Sequence, residues 1–595
     1  MTFPPAEQGR TKAARRRKRR LRTRSLVFIA VASCLALMIG RGTAQIVGHL
    51  SCVNQPLVID VAVSTDIAPA IGEIAGVFNQ QQRQVGGRCI AVQVNAGSPA
   101  EAAQQIEGQH RSANQLQINA WIPDSSLWVD EVRGFEPGAQ DVNPAGFSVA
   151  RSPLMIVMPA AAAARTPAFT KDGWRLLLPH SAGGPAEPSD LRVDLPDPSR
   201  TAAGLATLIE ESRLLGSDKS ARVKFTTFAH ASIVTSYFDD PAALTTFVSL
   251  AAAPLNGNPV TVTTEQAVLA YDAASPRQPL AATYPYGKNV ALGSPEFDYP
   301  YVLLTTSSKL QIAAATAFGQ MLRTGYAASV IRFAGFRSAG QVPGRPDQFA
   351  RSYGLDSQLL QVAPPATVIE EPTALQSWNK LSTGSRDLTM VDVSSNMAKT
   401  SDPGGPTYMR QLSQAASLGL QLFADTSNLG LWEFATGMNG SLPYRQLVSI
   451  GPLPSQIGVL SRRTQLTHIA ASLTPTSNPG VALYGSILAG YKYLRKTYQP
   501  KFFNAEVVLG SGVENDPNDI SSKDLIKDLT KLNNPARKVV IILIVFGQPA
   551  NFPQLQQIAA ATGGQAYEIT KPEQVDEVFY QALAQRLCDP SCLAP

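Results

Sequence analysis

The stretch "LTMVDVSSNMAKTSDP", Leu388–Pro403, is a short apolar run that breaks off at Asp392-Val393-Ser394-Ser395-Asn396. An apolar run of that length followed by polar turn residues predicts a buried strand opening into a loop. Alternate residues leaving a strand point the same way, so Asp392, Ser394 and Asn396 bring an acid, a hydroxyl and an amide oxygen toward one point. Oxygens of these kinds are the ligands a hard divalent cation takes. The bland alternative is a strand end whose acid caps nearby backbone amides.

Around this loop the pattern is regular. Strands are predicted at Leu388–Val393, Leu429–Thr436, Gln446–Ile450, Ala505–Leu509, Val539–Phe546 and Gln565–Ile569. Helices are predicted between them at Thr407–Phe423, Thr464–Leu473, Val481–Lys496, Ser522–Leu532, Phe552–Thr562 and Pro572–Leu587. Strands alternating with helices argue for a parallel, doubly wound sheet. "VVIILIV", from Val539, is near-continuously apolar, as a central parallel strand should be. Ligand crevices in such sheets lie at the carboxyl ends of the strands, and "DVSSN" occupies one of those ends.

The motifs "VDVSSNMA", "LGLWEFATG", "GVALYGSILAGYKYL", "AEVVLGSGVEN", "VVIILIVFG" and "LQQIAAATGGQAYEITKPEQVDEVFYQAL" together resemble a von Willebrand factor A domain over residues 385–587. The resemblance implies a Rossmann-like fold and a metal-ion-dependent adhesion site built from an Asp-x-Ser-x-Ser loop, a Thr and a later Asp. Asp392 and Ser394 match that pattern, and Asn396 stands at the third loop position. The expected Thr falls on Val481, which has no side-chain oxygen, and the expected Asp falls near Ser511, with Glu514 and Asp516 just beyond. Thr474, Thr476, Glu514 and Asp516 are the substitutes within reach. The site implied is degenerate: Mg or Mn bound weakly or lost, with Asp392 capping backbone amides instead.

The formal net charge of +6 is uneven, because residues 1–24 hold ten Lys or Arg against Glu7 alone and leave the rest of the chain at −3. That balance carries no nucleic-acid footprint. The basic tail runs into "SLVFIAVASCLALMIG", Ser25–Gly40. About fifteen apolar residues span roughly 23 Å, short of the ~30 Å hydrocarbon core, but Arg24 and Arg41 can snorkel and residues up to Val47 can extend the helix. The charge bias puts the N-terminus inside and the bulk outside. The leading expectation is a single-pass transmembrane anchor over residues 25–47. A cleaved signal ending at Ala44 and a lipoprotein signal modified at Cys34 are the alternatives, and all three export the bulk of the chain.

Outside that segment four cysteines remain, Cys52, Cys89, Cys588 and Cys592, an even number that suggests disulfides in an exported protein. Of three connectivities the most economical joins Cys52 to Cys89 and Cys588 to Cys592. A zinc half-site at the second pair lacks a neighbouring Cys or His at ligand spacing. The five histidines are scattered singly.

From Pro56 the chain reads "PLVIDVAVSTDIAPAIGEIAGVFNQ" and then "CIAVQVNAGSPAEAAQQI". Each is a strand, a turn of hydroxyl or small residues and a helix; Ser64-Thr65-Asp66 is read as the first helix cap and Ser98 stands before the second. Helix amino termini presenting hydroxyls and free N–H groups suit a polar or anionic ligand head, and ordinary capping is the competing reading. With "INAWIPDSSLWVDEV", "SPLMIVMP", "LPDPSRTAAGLATLIE", "TTEQAVLAYDAA", "TYPYGKNVALGSPEFDYPYVLL" and "AAATAFGQMLRTGYAASVIRFAGFRS", this succession resembles bacterial extracellular solute-binding proteins of the periplasmic type II fold. The resemblance implies two α/β lobes with a ligand in the cleft, and places Ser64, Thr65, Gly97, Ser98, Asp124, Ser125, Ser199, Thr201 and Tyr284 on cleft loops.

The organisation expected is a basic tail (1–24), an anchor (25–47), a two-lobed solute-binding domain (52–360), a polar linker (361–384) and the A-type domain (385–595). No Gly-x-Ser-x-Gly elbow, phosphate-binding Gly-x4-Gly-Lys-Ser/Thr or His-Glu-x-x-His is present, so the chain is read as a binding protein and not an enzyme. A small solute and a protein partner for the A-type domain are the expected partners. The alternative is a solute-capture subunit of a membrane transporter, with the A-type domain as scaffold.

Overall fold

The computed structural model describes residues 55–108, 117–135, 138–180, 191–235, 258–286, 293–344, 354–356, 362–400, 403–440, 442–571 and 574–588, with residues 244, 247 and 349. The expected anchor and basic tail, with Cys34, Cys52 and Cys592, lie outside these residues. No helix among the described residues is long and apolar enough to cross a membrane. The chain forms two compact bodies, one from residues through Arg151 together with Asp298–Gly344, the other from Ser152–Phe297 together with the chain from Arg345 onward.

In the first body, β1 (Leu57–Ser64) and β2 (Arg88–Gly97) run parallel, as do β1 and β3 (Ala120–Ile122). The sheet order is Gln84–Val85, β2, β1, β3, Pro300–Leu304 and Val142–Ser148, the last two antiparallel. β1 buries Leu57, Ile59, Val61 and Val63, the alternation of a strand with one covered face. Helix α1 (Ala68–Gln80) turns Ala68, Ile71, Ile74, Ala75 and Phe78 inward at helical spacing. Its cap differs from expectation: Ile67 is the N-cap without a side-chain bond, and Asp66 accepts from the Ile67 amide at 2.9 Å. Pro69 in the first turn makes a cap less necessary, because proline has no N–H to satisfy. Helix α2 (Pro99–Ile106) is capped by Ser98 as expected, and α3 (Ser126–Gly134) follows β3.

The second body holds a smaller sheet and a larger one. The smaller is centred on the fully buried strand Ser152–Pro159, paired antiparallel with Asn258–Thr264 and Leu280–Thr283. The larger contains β4 (Ser385–Asp392), β5 (Asn428–Asn439), β6 (Leu442–Pro452), β7 (Phe503–Gly510), β8 (Val539–Phe546) and β9 (Gln565–Ile569), in the order β6-β5-β4-β7-β8-β9. All neighbours pair parallel except β5 and β6. The strand expected at Gln446–Ile450 lies within β6 and is the return arm of a hairpin, antiparallel to β5 and turning at Gly440, whose φ of +62° suits glycine. Helices α4 (Tyr408–Leu422), α5 (Leu483–Lys496) and α6 (Val575–Ala584) cover the sheet with those at Arg462–Ser472, Ser522–Leu532 and Phe552–Ala560. Leu388 and Met390 pack into one core layer, and Val391 and Val393 into the other.

The segment expected to be a linker contains a helix, Glu370–Ser382. Its buried residues Glu371, Ala374, Ser377, Trp378 and Leu381 fall on one helical face, a spacing that the flanking prolines hid. Arg213 of the helix Ala202–Leu215 ties to it through Glu370, 2.7 Å away. The His230 ring lies edge-on to Phe579 and Tyr580, and burial pushes its pKa down to about 4. Residues 152–297 and the chain from Arg345 onward thus share one body.

Candidate functional site

In the first body the parallel strands bring six of the expected ligand residues to one edge. Ser64 ends β1 directly opposite Gly97, which ends β2, and Val63 pairs with Ile122 at the end of β3. Ser64, Thr65, Gly97, Ser98, Asp124 and Ser125 therefore lie at the carboxyl edge of one sheet, where crevices of α/β folds form. Thr65 and Gly97 are exposed, and a Cβ added at Gly97 would meet nothing within 4 Å. Ser98 accepts from the Glu101 amide at 3.4 Å and Ser125 from the Leu127 amide at 3.2 Å, so these two hydroxyls cap α2 and α3. Ser98→Gly should cost only a few tenths of a kcal/mol in thermal unfolding, because glycine is itself a tolerable N-cap. A loss of solute binding without a loss of stability would then report the hydroxyl alone.

Behind the edge lies a cluster that the sequence reading missed. The Tyr299 hydroxyl donates to Asp66, the Trp128 indole N–H donates to Asp124 at 2.8 Å, and the Ser126 amide donates to Asp298 at 2.7 Å. Tyr299 also donates its amide to the Asp124 carbonyl at 3.2 Å while its backbone sits at φ +40°, a left-handed conformation rare for a bulky residue. Such strain persists only where the surroundings over-determine it. Desolvation raises Asp66, against the hydrogen bonds from Tyr299 and Ser64. Desolvation and then the nearby Asp66 push Asp124 up to about 8, so the pair holds at least one proton near neutrality. The local signal was only the acid in "STD" and in "FDY"; their meeting depends on a contact more than two hundred residues long.

Ser199, Thr201 and Tyr284 belong to the second body. The Ser199 hydroxyl donates to Asp197 at 2.7 Å, and Thr201 caps the helix Ala202–Leu215 by accepting from the Gly204 amide. The Tyr284 hydroxyl donates to the buried Glu265 at 2.7 Å. Each of these three has a partner within its own body.

The Asp392 loop is committed to the fold. Asp392 is 1% exposed; one oxygen accepts from the Ser394 amide at 2.8 Å, the other from the Ser511 amide at 3.1 Å and hydroxyl at 2.6 Å. Ser511, standing where the resemblance puts an acid, thus donates to Asp392. The Asn396 amide oxygen accepts from the Lys399 ammonium at 2.7 Å, a cation supplied by the chain itself. Val481 is fully buried in the core. Glu514 caps α5 through the Leu483 and Tyr484 amides, and Asp516 accepts from the Thr436 hydroxyl at 2.8 Å. The Thr476 hydroxyl accepts from the Asn478 amide at 3.3 Å. Among the described residues no group of three or more His, Cys, Asp or Glu is arranged to hold a metal ion. The buried Ser394 hydroxyl has no hydrogen-bond partner.

Residues 59–337 match the family model described as bacterial extracellular solute-binding protein. No curated protein matches the chain. Among solved structures, the sulfate-binding protein SubI from Mycobacterium tuberculosis H37Rv is 18% identical with a TM-score of 0.34, over 51% of this chain and 93% of that one. Iron-bound HitA from Pseudomonas aeruginosa is 12% identical with a TM-score of 0.37, over 55% and 99%. A von Willebrand factor type A protein from Catenulispora acidiphila is 16% identical with a TM-score of 0.27, over 35% and 43%.

Proposed function

We propose that this is a membrane-anchored, extracytoplasmic, non-catalytic binding protein. Its first domain takes a small polar solute at the carboxyl edge of β1, β2 and β3, and its C-terminal A-type domain docks a protein partner. The observation that carries the solute reading is the convergence of Ser64, Thr65, Gly97 and Ser98 at one strand edge within the matched region. The cluster behind, with Asp66 and Asp124 sharing protons, favours a solute that donates hydrogen bonds over a multiply charged anion. The basic tail and the apolar run 25–47 support the anchor. Disulfides Cys52–Cys89 and Cys588–Cys592 complete the reading, the first supported by β1 and β2 starting side by side with Leu57 opposite Ile90.

A second reading, a transporter's solute-capture subunit with the A-type domain as scaffold, is favoured by one observation. Asp392 and Asn396 spend their oxygens on Ser394, Ser511 and Lys399, leaving little for a metal-bridged partner. A thermal-shift screen of the full chain against amino acids, sugars, polyamines and oxyanions tests the solute reading. A solute at a hundred times its dissociation constant should stabilise by about 2.7 kcal/mol. A screen in which no solute moves the transition would refute it.

A further inference from the structure

Between the larger sheet of the second body and the helices α4 and α6 lies a cavity of about 130 Å³. Small residues keep it open. Ala415, Ala416 and Gly419 stand on α4 and Ala582 on α6, and a side-chain carbon at Gly419 would meet nothing nearer than Phe579 at 4.0 Å. Aliphatic and aromatic side chains make most of the remaining wall. An apolar cavity of roughly 150 Å³ stays dry and takes up benzene, so this space suits an apolar guest and not water. Since a cavity of roughly that size holds benzene, a guest of at most about six carbons fits here.

Two charged residues interrupt the apolar lining, Asp387 at 3% exposure and Arg586 at 7%. They make no ion pair with each other within 4 Å. Arg586 donates through its terminal nitrogens to the Thr383 carbonyl at 3.0 Å and to the Ser385 hydroxyl, and lies over the Phe503 ring. Its Nε and the Asp387 Oδ1 are buried without hydrogen-bond partners. Orphaned buried groups of this kind cost on the order of 1–3 kcal/mol each, more when charged, unless something satisfies them. The missing partner is a head group that accepts from the guanidinium and also meets the Asp387 oxygen.

We propose that this cavity binds a short aliphatic carboxylic acid of about four to six carbons, its chain among the small residues of α4 and α6 and its carboxyl group between Arg586 and Asp387. Burial pushes Asp387 up to about 7 and lowers Arg586 to about 10. Near neutrality Arg586 is thus charged while Asp387 carries a proton part of the time, which lets it donate to a carboxylate. The assignment is independent of the solute site, which lies on the other body.

The test is photolysis of the full chain with 4,4-azipentanoic acid, followed by peptide mapping. Label is expected in residues 408–431 or 579–587, displaced by excess hexanoic acid but not by hexylamine, whose cation would face Arg586. Gly419→Leu, which fills the space, should lower the labelling at least tenfold while circular dichroism shows the fold retained. Label confined to other segments, label that hexanoic acid does not displace, or a Gly419→Leu variant labelled as well as wild type would each overturn the proposal. Equal displacement by hexylamine would overturn the carboxylate assignment. The mapping is read on the wild-type chain, so it decides the question even if the variant fails to fold.

Discussion

Asp392→Ala is expected to destabilise the second body by on the order of 3 kcal/mol, whether or not divalent metal is present. The carboxylate accepts from two backbone amides and one hydroxyl, and its residue is 1% exposed. Removing it strands three buried donors, each costing about 1–3 kcal/mol, with partial relief from water entering the gap. That is more than the ~1 kcal/mol of a simple exposed cap, because the Ser511 loop loses its anchor together with the Ser394 turn. Chemical denaturation in EDTA and in millimolar Mg²⁺ should give the same loss. A wild-type domain that gains several kcal/mol from Mg²⁺, with the gain erased by Asp392→Ala, would make the loop a working metal site.

Asp124→Asn is the second large effect, and its sign depends on pH. The folded protein holds the Asp124 proton up to about pH 8, whereas an unfolded aspartate releases it near pH 3.9. The folded state therefore binds more protons across that window. The contribution is fully present below pH 4 and is lost as the pH rises toward 8. Asparagine keeps an oxygen for the Trp128 N–H and has no charge to bury. The variant should match wild type near pH 4 and exceed it by roughly 1–2 kcal/mol at pH 8.5, a figure discounted because Asp124 keeps some solvent contact. Urea unfolding at the two pH values checks this; a variant less stable than wild type at pH 8.5 would show that the carboxylate is paired with a cation instead.

What was legible in the sequence was local and periodic. Val539–Phe546 and Gln565–Ile569 fall where the apolar runs place them, because a buried parallel strand needs apolar residues on both faces. The Ser98 cap was legible as well, since a cap and its helix lie within a few residues. The helix Glu370–Ser382 was hidden because Pro364, Pro365 and Pro372 read as linker, although Pro372 falls in the first turn where proline is tolerated. The strand at Gln446–Ile450 was legible but its antiparallel direction was not, because an apolar run does not say which way its strand runs. Two contacts were beyond sequence reasoning for a plainer reason. Tyr299 reaches Asp66 across the whole first domain, and Lys399 reaches Asn396 through a rotamer that no spacing specifies.

The measurement that tests the central claim most directly is a calorimetric titration of the best solute from the screen into the full chain and into Gly97→Trp. Gly97 is exposed, its backbone lies outside the left-handed region and a Cβ added there meets nothing within 4 Å, so tryptophan there should leave folding intact while covering the carboxyl edge of β1 and β2. The expected result is saturable one-to-one binding by the wild-type chain and at least a hundredfold weaker binding by the variant. Undiminished binding by a folded Gly97→Trp chain would contradict the account and place the solute elsewhere.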